Sequence, residues 1–218
     1  MEIKIPYTPR KHQRLLHQQI DKHRWSVLVC HRRFGKTVCM INHLIKSALT
    51  CKEKNPRFAY LAPTFKQAKS IAWDYMKQFT DKIPNTKFNE TELRVDLPNG
   101  ARITLLGSDS PDGLRGIYLD GCVIDEYANV NSRLFPEIIR PALSDRKGYC
   151  VFIGTPAGMN NNFYELYQHA NGAEDWFNYK AKASDTKIVD EDELVKAKEV
   201  MGEKKYNQEF ECDWIANI

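Results

Sequence analysis

A short apolar run that leads into a basic, glycine-containing turn constrains the fold of this chain more than any other feature. Residues 26–30 are aliphatic and β-branched, as in a buried strand, and residues 38–49 repeat apolar side chains at helical spacing. The junction between them reads Gly35-Lys36-Thr37. The sequence therefore predicts a strand, a tight turn and the N-terminus of a helix in direct succession.

Such a junction carries the groups that hold a triphosphate. Backbone N–H groups and the positive end of the helix dipole would face the phosphates, Lys36 would place a charge beside the β- and γ-phosphates, and the Thr37 hydroxyl would ligate Mg²⁺. The predicted nucleotide-binding turn comprises His31, Arg32, Arg33, Phe34, Gly35, Lys36 and Thr37. Cys30 replaces the glycine usual six residues before the lysine, so the first turn must form without glycine's access to positive φ. An ordinary basic turn is the alternative.

A second apolar segment, predicted as a strand over residues 121–125, ends in Asp125 and Glu126. Adjacent side chains at a strand end point in different directions, so Asp125 can join the metal with Thr37 while Glu126 polarises an attacking water. Acids at such positions also commonly cap a following helix. The separation of about 90 residues from Lys36 fits a P-loop ATPase in which an added strand separates the two motifs.

A third strand, predicted over residues 149–153, leads into Thr155. A hydroxyl at the carboxyl end of a central strand lies in the crevice where open α/β sheets bind ligands. Thr155 is therefore a candidate sensor of the γ-phosphate or of the attacking water. A strand-to-loop turn without a catalytic role is the alternative.

Elsewhere, predicted strands alternate with predicted helices, which favours a parallel sheet covered on both faces. Further strands are predicted at 57–62 and 177–182, and helices at 9–20, 35–50, 65–79, about 134–144 and 161–170, followed by two C-terminal helices. A hairpin joins residues 93–97 to 102–106 through Asn99-Gly100. The predicted fold is an α/β P-loop NTPase of the ASCE/RecA-like type, with a core over residues 1–180 and a small helical lid or linker over 181–218.

Composition narrows the class of protein further. No apolar stretch reaches the roughly 18 residues of a membrane span, and the N-terminus lacks the apolar region of a secretory signal. The six cysteines form no Cys-x-x-Cys pair and are expected to be reduced core residues. Residues 1–60 carry 13 Lys/Arg against 3 Asp/Glu, so this part could face phosphate, or it could be a solvated surface.

The order of these motifs resembles the ATPase domain of viral large terminases, the DNA-packaging motors of tailed bacteriophages. The segments that carry the resemblance are residues 31–37, 61–64, 93–106, 114–116, 123–126 and 154–156. In that group, Cys30 is an ordinary residue of the phosphate loop. Residues 205–214 are similar to the segment that joins the family's ATPase domain to an RNase H-like nuclease, so we expect the N-terminal part of a larger protein, without the nuclease.

The resemblance also implies roles for two arginines. Arg32 matches an arginine of the family's phosphate loop that reaches the γ-phosphate of its own subunit, although it could instead hold the loop by pairing with a carboxylate. Arg115 matches an arginine proposed to act on the neighbouring subunit's site within a ring. A surface arginine on a glycine-flanked loop is the other interpretation of Arg115.

The N-terminal segment resembles the adenine-side motif of terminases and related helicases. Gln13 would contact the adenine, and Tyr7 or Arg10 would stack on the base. Alternatively, Tyr7 packs as a hydrophobic staple before the first helix and Gln13 is exposed. His12 and His17 are expected to face solvent.

The resemblance implies an enzyme that hydrolyses ATP with Mg²⁺ and drives double-stranded DNA into a procapsid in the host cell cytoplasm. Its implied partners are the DNA backbone, other copies of the chain in a ring, the portal and the small terminase subunit, with no membrane. Candidate DNA-contacting residues, chosen by charge alone, are Lys66, Lys69, Arg94 and Arg102. A helicase or remodelling ATPase that acts with partner chains, and a nucleotide-binding module with little turnover, remain as alternatives.

Overall fold

A computed structural model describes residues 2–215 of the chain. Its centre is one eight-stranded sheet with the strand order β3-β4-β5-β2-β6-β7-β1-β8. The strands are β1 (Trp25–Cys30), β2 (Arg57–Ala62), β3 (Lys87–Asn89), β4 (Arg94–Asp96), β5 (Arg102–Gly107), β6 (Gly121–Ile124), β7 (Tyr149–Gly154) and β8 (Trp176–Ala181). The predicted mostly parallel α/β sheet is confirmed.

The order of the central strands positions the motifs. Strand β7 pairs in parallel with β1 on one side and with β6 on the other. It is therefore the added strand that the sequence places between the phosphate loop and the acidic pair. Strands β2 and β8 are also parallel to their neighbours, so the carboxyl ends of β1, β2, β6, β7 and β8 meet at one edge of the sheet. We call this the carboxyl edge.

Helices cover both faces of the sheet. They are α1 (Lys11–Lys22), α2 (Lys36–Thr50), α3 (Phe65–Ala68), α4 (Asp74–Thr80), α5 (Arg140–Ala142), α6 (Asn162–Ala170), α7 (Ala183–Thr186), α8 (Glu191–Met201) and α9 (Glu203–Phe210). One apolar core lies between the sheet and α1, α2 and α4, and a second lies on the opposite face under α5 and α6. Strands β1, β6 and β7 are buried almost throughout because they lie between these two cores.

Two local predictions differ in detail from the structure. The hairpin is confirmed, with β4 antiparallel to β5 and Gly100 at φ 87° in the turn, and β3 adds a third strand that the sequence did not indicate. The helix expected near 134–144 is a π-helical segment, Leu134–Ile139, followed by the short α5. Pro136 and Pro141 lie in these segments and lack the N–H donor of a regular helix, which accounts for the irregular geometry.

The helices after β8 have their own small apolar cluster, formed by Ala183, Leu194, Tyr206 and Phe210. This segment matches most of the predicted lid, whose last three residues lie outside the described part of the chain. Within residues 2–215 no helix combines the length and apolarity needed to cross a membrane. Five of the six cysteines are buried and Cys51 is partly exposed.

Candidate functional site

The phosphate loop solves the missing-glycine problem by placing its left-handed residues later in the turn. Cys30 is the last residue of β1 and is extended, so it does not need positive φ. Arg33 (φ 68°) and Gly35 (φ 89°) hold the left-handed positions instead. The expected difficulty at Cys30 therefore does not arise, although the left-handed conformation of Arg33 costs about 1–2 kcal/mol.

The first turn of α2 is open to an anion. Gly35 is the N-cap residue, so it offers no side chain to the amide groups that follow, and no acidic residue lies in the first turn. The first N–H groups of a helix have no partner within the helix, and the helix dipole adds positive potential there. The local structure is thus that of a phosphate-binding helix terminus.

Two side chains of the predicted turn support the loop from beneath. The imidazole of His31 is buried and contacts the Thr186 hydroxyl at 2.7 Å and the Arg32 carbonyl at 2.7 Å, and burial lowers its pKa. The Phe34 ring is 1% exposed and packs edge-on against His31. The structure therefore gives these two side chains a supporting position, whereas Arg32 and Arg33 are exposed.

Lys36 and Thr155, which are 119 residues apart, meet at the carboxyl edge. The Lys36 ammonium donates to the Thr155 hydroxyl at 3.3 Å, and that hydroxyl lies 3.5 Å from the Cys30 carbonyl. Thr155 also lines a cleft of about 330 Å³ together with Glu126. The cleft is lined further by Ala128, Asn129, Pro156, Ala157, Lys205, Gln208 and Glu209. Three predicted site residues from three different segments thus converge.

The two adjacent acids occupy different environments. The Asp125 carboxylate is buried, accepts the Tyr60 hydroxyl and accepts the Glu126 N–H at 2.7 Å. Glu126 has left-handed backbone (φ 48°, ψ 48°), which directs its partly exposed side chain towards the cleft. Because residues held in this region cluster at functional sites, the backbone of Glu126 is a second indication of a role there.

Thr37 and Asp125 offer a donor set that suits Mg²⁺. Both present oxygen, which hard cations prefer, and Asp125 forms no ion pair with any side chain of residues 2–215. A buried carboxylate without a cationic partner is costly, so this position favours a bound cation. No cluster of three or more His, Cys, Asp or Glu side chains suited to a metal occurs in the described chain, so phosphate and water would complete the shell.

The predicted adenine-side residues support the loop from its other side. Gln13 is buried, and its amide donates to the Gly35 carbonyl at 3.2 Å and accepts the Arg10 N–H at 2.9 Å. The alternative of an exposed Gln13 is therefore wrong. Tyr7 packs edge-on against Phe79, and its hydroxyl lies 2.8 Å from His17. His17 is half-buried in this contact, which contradicts its expected solvent-facing position.

Arg115 lies apart from the residues that line the cleft. It precedes β6 on an exposed loop, and its guanidinium contacts Asp112 at 3.2 Å and lies 4.0 Å from Glu137. Arg133 contacts the same two acids at 3.3 and 2.7 Å. The structure therefore places Arg115 on the surface, where only another molecule could bring it to a nucleotide.

Two contacts of the site were absent from the sequence reasoning. Tyr60 reaches Asp125 from the interior of β2, and the Gln208 amide donates to the Pro156 carbonyl at 2.7 Å from α9. A single tyrosine in an apolar strand looks like any core aromatic. A glutamine on a polar helix likewise carries no signal, because both contacts depend on which elements are neighbours in space.

Comparisons with known proteins agree on the family. The family described as terminase large subunit, T4likevirus-type, N-terminal, matches residues 29–217. The large terminase subunit of Thermus phage G20c is 30% identical over 126 residues, and that match covers 49% of this chain and 26% of the relative. The chain thus matches about a quarter of the length of its curated relatives.

Solved structures show the same fold. The large terminase ATPase domain of Thermus phage P74-26 superposes with a TM-score of 0.81 at 20% identity, covering 97% of this chain and 96% of that one. A large terminase from a thermophilic bacteriophage, solved in complex with ADP, has a TM-score of 0.81 at 15% identity and covers 94% of this chain and 53% of its own. Since the family match extends over most of its length, the chain belongs to the T4likevirus-type family of large terminase subunits and represents their N-terminal region.

Proposed function

We propose that this chain is the ATP-hydrolysing domain of a phage DNA-packaging motor, which uses Mg²⁺-ATP to drive double-stranded DNA into a procapsid. The observation that carries the proposal is the meeting of Lys36 and Thr155, 3.3 Å apart, beside the cleft that Glu126 lines. Related large terminases have been solved with ADP and with ATP-gamma-S, which supports the choice of nucleotide.

In the proposed mechanism, the open first turn of α2 and Lys36 bind the β- and γ-phosphates. Glu126 orients a water for in-line attack on the γ-phosphorus. Thr37 and Asp125 would hold Mg²⁺, which supplies positive charge to the phosphate oxygens. As charge shifts onto the transferred phosphoryl oxygens, Lys36 stabilises it from a fixed position.

The C-terminal helices would respond to loss of the γ-phosphate through contacts that already join them to the site. The Arg32 N–H donates to the Glu209 carbonyl at 2.7 Å, and Gln208 of α9 donates to Pro156 at 2.7 Å. One helix thus contacts both the phosphate loop and the turn that carries Thr155. We assign residues 1–180 to the ATPase core and 181–218 to a lid that follows the state of the nucleotide.

DNA contact would be made to the phosphate backbone, because a packaging motor must accept any sequence. Among the charge-based candidates, Arg94 and Arg102 both pair with Asp96, which reduces their capacity for phosphate, whereas Lys66 and Lys69 are exposed at the start of the α3–α4 helical run. Further proposed partners are other copies of the chain in a ring, the portal and the small terminase subunit, in the host cell cytoplasm.

The main test is the substitution Glu126→Ala. We expect ATP turnover to fall by about 10²–10⁴-fold, the usual contribution of a general base, while nucleotide binding is retained. The matched control is Glu199→Ala, which removes an exposed glutamate from α8. Turnover would be measured by phosphate release and binding by a fluorescent ATP analogue. Unchanged turnover in Glu126→Ala would refute the proposed mechanism, and strand separation at a DNA fork would favour the helicase alternative.

A second prediction concerns Arg115. If it acts on a neighbouring subunit's nucleotide, Arg115→Ala should lower turnover by about 10³–10⁵-fold, as for other arginine fingers. Arg133→Ala is the control, because Arg133 contacts the same acids, Asp112 and Glu137. Mixing Arg115→Ala with Glu126→Ala protein should restore part of the activity. Absence of recovery in a confirmed oligomer would contradict a role between subunits.

A further inference from the structure

Tyr60 is a buried polar group that the proposed mechanism has not yet used. It lies in β2 directly opposite Val123 of β6, and its ring packs in the core between the sheet and α2. The residue is fully buried, yet its hydroxyl reaches the carboxyl edge of the sheet. A core aromatic thus delivers one polar atom to the place where the phosphate loop and the acidic pair meet.

The hydroxyl group lies between the two residues assigned to the metal. It donates a hydrogen bond to Oδ2 of Asp125, whose Oδ1 accepts the Glu126 N–H at 2.7 Å. Burial and the charge of Asp125 raise the pKa of Tyr60, while the nearby Thr37 hydroxyl acts in the opposite direction. Tyr60 therefore stays protonated and remains a donor to Asp125 across the working pH range.

We infer that Tyr60 is a positioning residue that fixes the Asp125 carboxylate beside Thr37 and thereby sets the Mg²⁺ affinity of the nucleotide complex. The inference rests on the proposed function, since it requires Mg²⁺ to bind with a nucleotide at this site. With one donor on each oxygen, the carboxylate has a fixed plane, and its remaining lone pairs are directed at the site. Groups that orient metal ligands in this way typically contribute 10–100-fold to metal affinity.

The chain contains a matched control for the loss of a buried tyrosine hydroxyl. Tyr149 in β7 is also buried, and its hydroxyl contacts the Ser47 hydroxyl at 2.8 Å towards the other end of α2. The substitutions Tyr60→Phe and Tyr149→Phe each keep the ring and remove one oxygen. They differ in the partner that is lost, which is a carboxylate at the site in one case and a serine far from it in the other.

The experiment measures binding of a fluorescent ADP analogue, mant-ADP, first in EDTA and then across a Mg²⁺ series. In Tyr60→Phe, we expect the half-saturating Mg²⁺ concentration to rise by about 10–100-fold, with unchanged binding in EDTA. In Tyr149→Phe, both quantities should match the wild type. Thermal melting of each variant reports the loss of a buried hydrogen bond separately, so a merely structural role would change melting in both variants and the Mg²⁺ requirement in neither.

A double variant tests whether Tyr60 acts through Asp125. In an Asp125→Asn background, Tyr60→Phe should add no further change in the Mg²⁺ requirement, because coupled residues are not additive. An unchanged Mg²⁺ requirement in the single variant Tyr60→Phe would overturn the inference and leave the proposed function intact. Failure of Mg²⁺ to strengthen mant-ADP binding in the wild type would instead refute the metal assignment itself.

Discussion

Two aspartates flank the same short strand, and their surroundings differ. Asp120 precedes β6 at the amino edge of the sheet, where its carboxylate accepts the Arg57 N–H at 2.8 Å and pairs with the Arg146 guanidinium at 3.3 Å. Asp125 follows β6 at the carboxyl edge and has Tyr60 and the next backbone N–H as donors, with no ion pair in residues 2–215. Both carboxylates are buried.

The difference separates a structural carboxylate from a ligand-binding one. At the amino edge, the chain supplies both the hydrogen-bond donor and the compensating cation, so the group is complete within the protein. At the carboxyl edge, the donors are present but the cation is missing from the chain's own side chains. Since a buried charge without compensation is unfavourable, the carboxyl edge is arranged to receive positive charge from outside.

The strongest way to break this comparison is to remove each carboxylate in turn. Asp120→Ala should destabilise the fold by about 3 kcal/mol, because it leaves the Arg57 N–H and the Arg146 guanidinium without their acceptor. Asp125→Asn should have a small effect on stability but raise the half-saturating Mg²⁺ concentration by about 100-fold. Chemical denaturation measures the first quantity and fluorescent-nucleotide binding the second.

Each variant is the control for the other, since both remove one carboxylate beside β6. If Asp125→Asn lowered stability as much as Asp120→Ala and left the Mg²⁺ requirement unchanged, Asp125 would be a second structural carboxylate. Weakened nucleotide binding in folded Asp120→Ala protein would show that the amino edge also contributes to the site.

A buried pair that changes charge with pH sharpens the comparison without mutation. The imidazoles of His17 and His43 stack with their Nδ1 atoms 2.8 Å apart, and burial is the main cause that lowers the pKa of His17 to about 4 and that of His43 to about 3. Lys46 lowers both values further, whereas Asp21, 3.5 Å from His43, raises them. As at Asp125, a charge here would be buried without full compensation.

The sign of the pH effect follows from these values. Both histidines are neutral in the fold near pH 5 but protonated in the unfolded chain, so their contribution to stability is complete above about pH 6.5 and is lost as the pH falls towards 4. We expect a loss on the order of 2 kcal/mol between pH 7 and pH 5. His17→Gln should flatten this slope in denaturation experiments, whereas His169→Gln, outside the pair, should not. Equal slopes in all three proteins would exclude the pair as the cause.

The sequence predicted the elements of the central sheet well because their signals are local. β-branched apolar runs gave the buried strands, helical spacing gave α2, and Asn99-Gly100 gave the hairpin turn. It predicted the convergence of Lys36, Thr155 and Glu126 because each follows a parallel strand, and parallel strands share one carboxyl edge. The π-helical segment near Pro136 was missed because helical periodicity persists where a proline changes the hydrogen bonding.

The sequence by itself determined the strand–turn–helix of the phosphate loop, the acidic pair and the family resemblance, since these depend on residues that are neighbours along the chain. The partners of those residues were decided only by the tertiary structure. Tyr60 meets Asp125 because β2 and β6 lie side by side, and Gln13 supports Gly35 because α1 packs near the loop. Contacts across 22 or 65 residues arise from strand order and packing, and no local pattern encodes which side chains will then face one another.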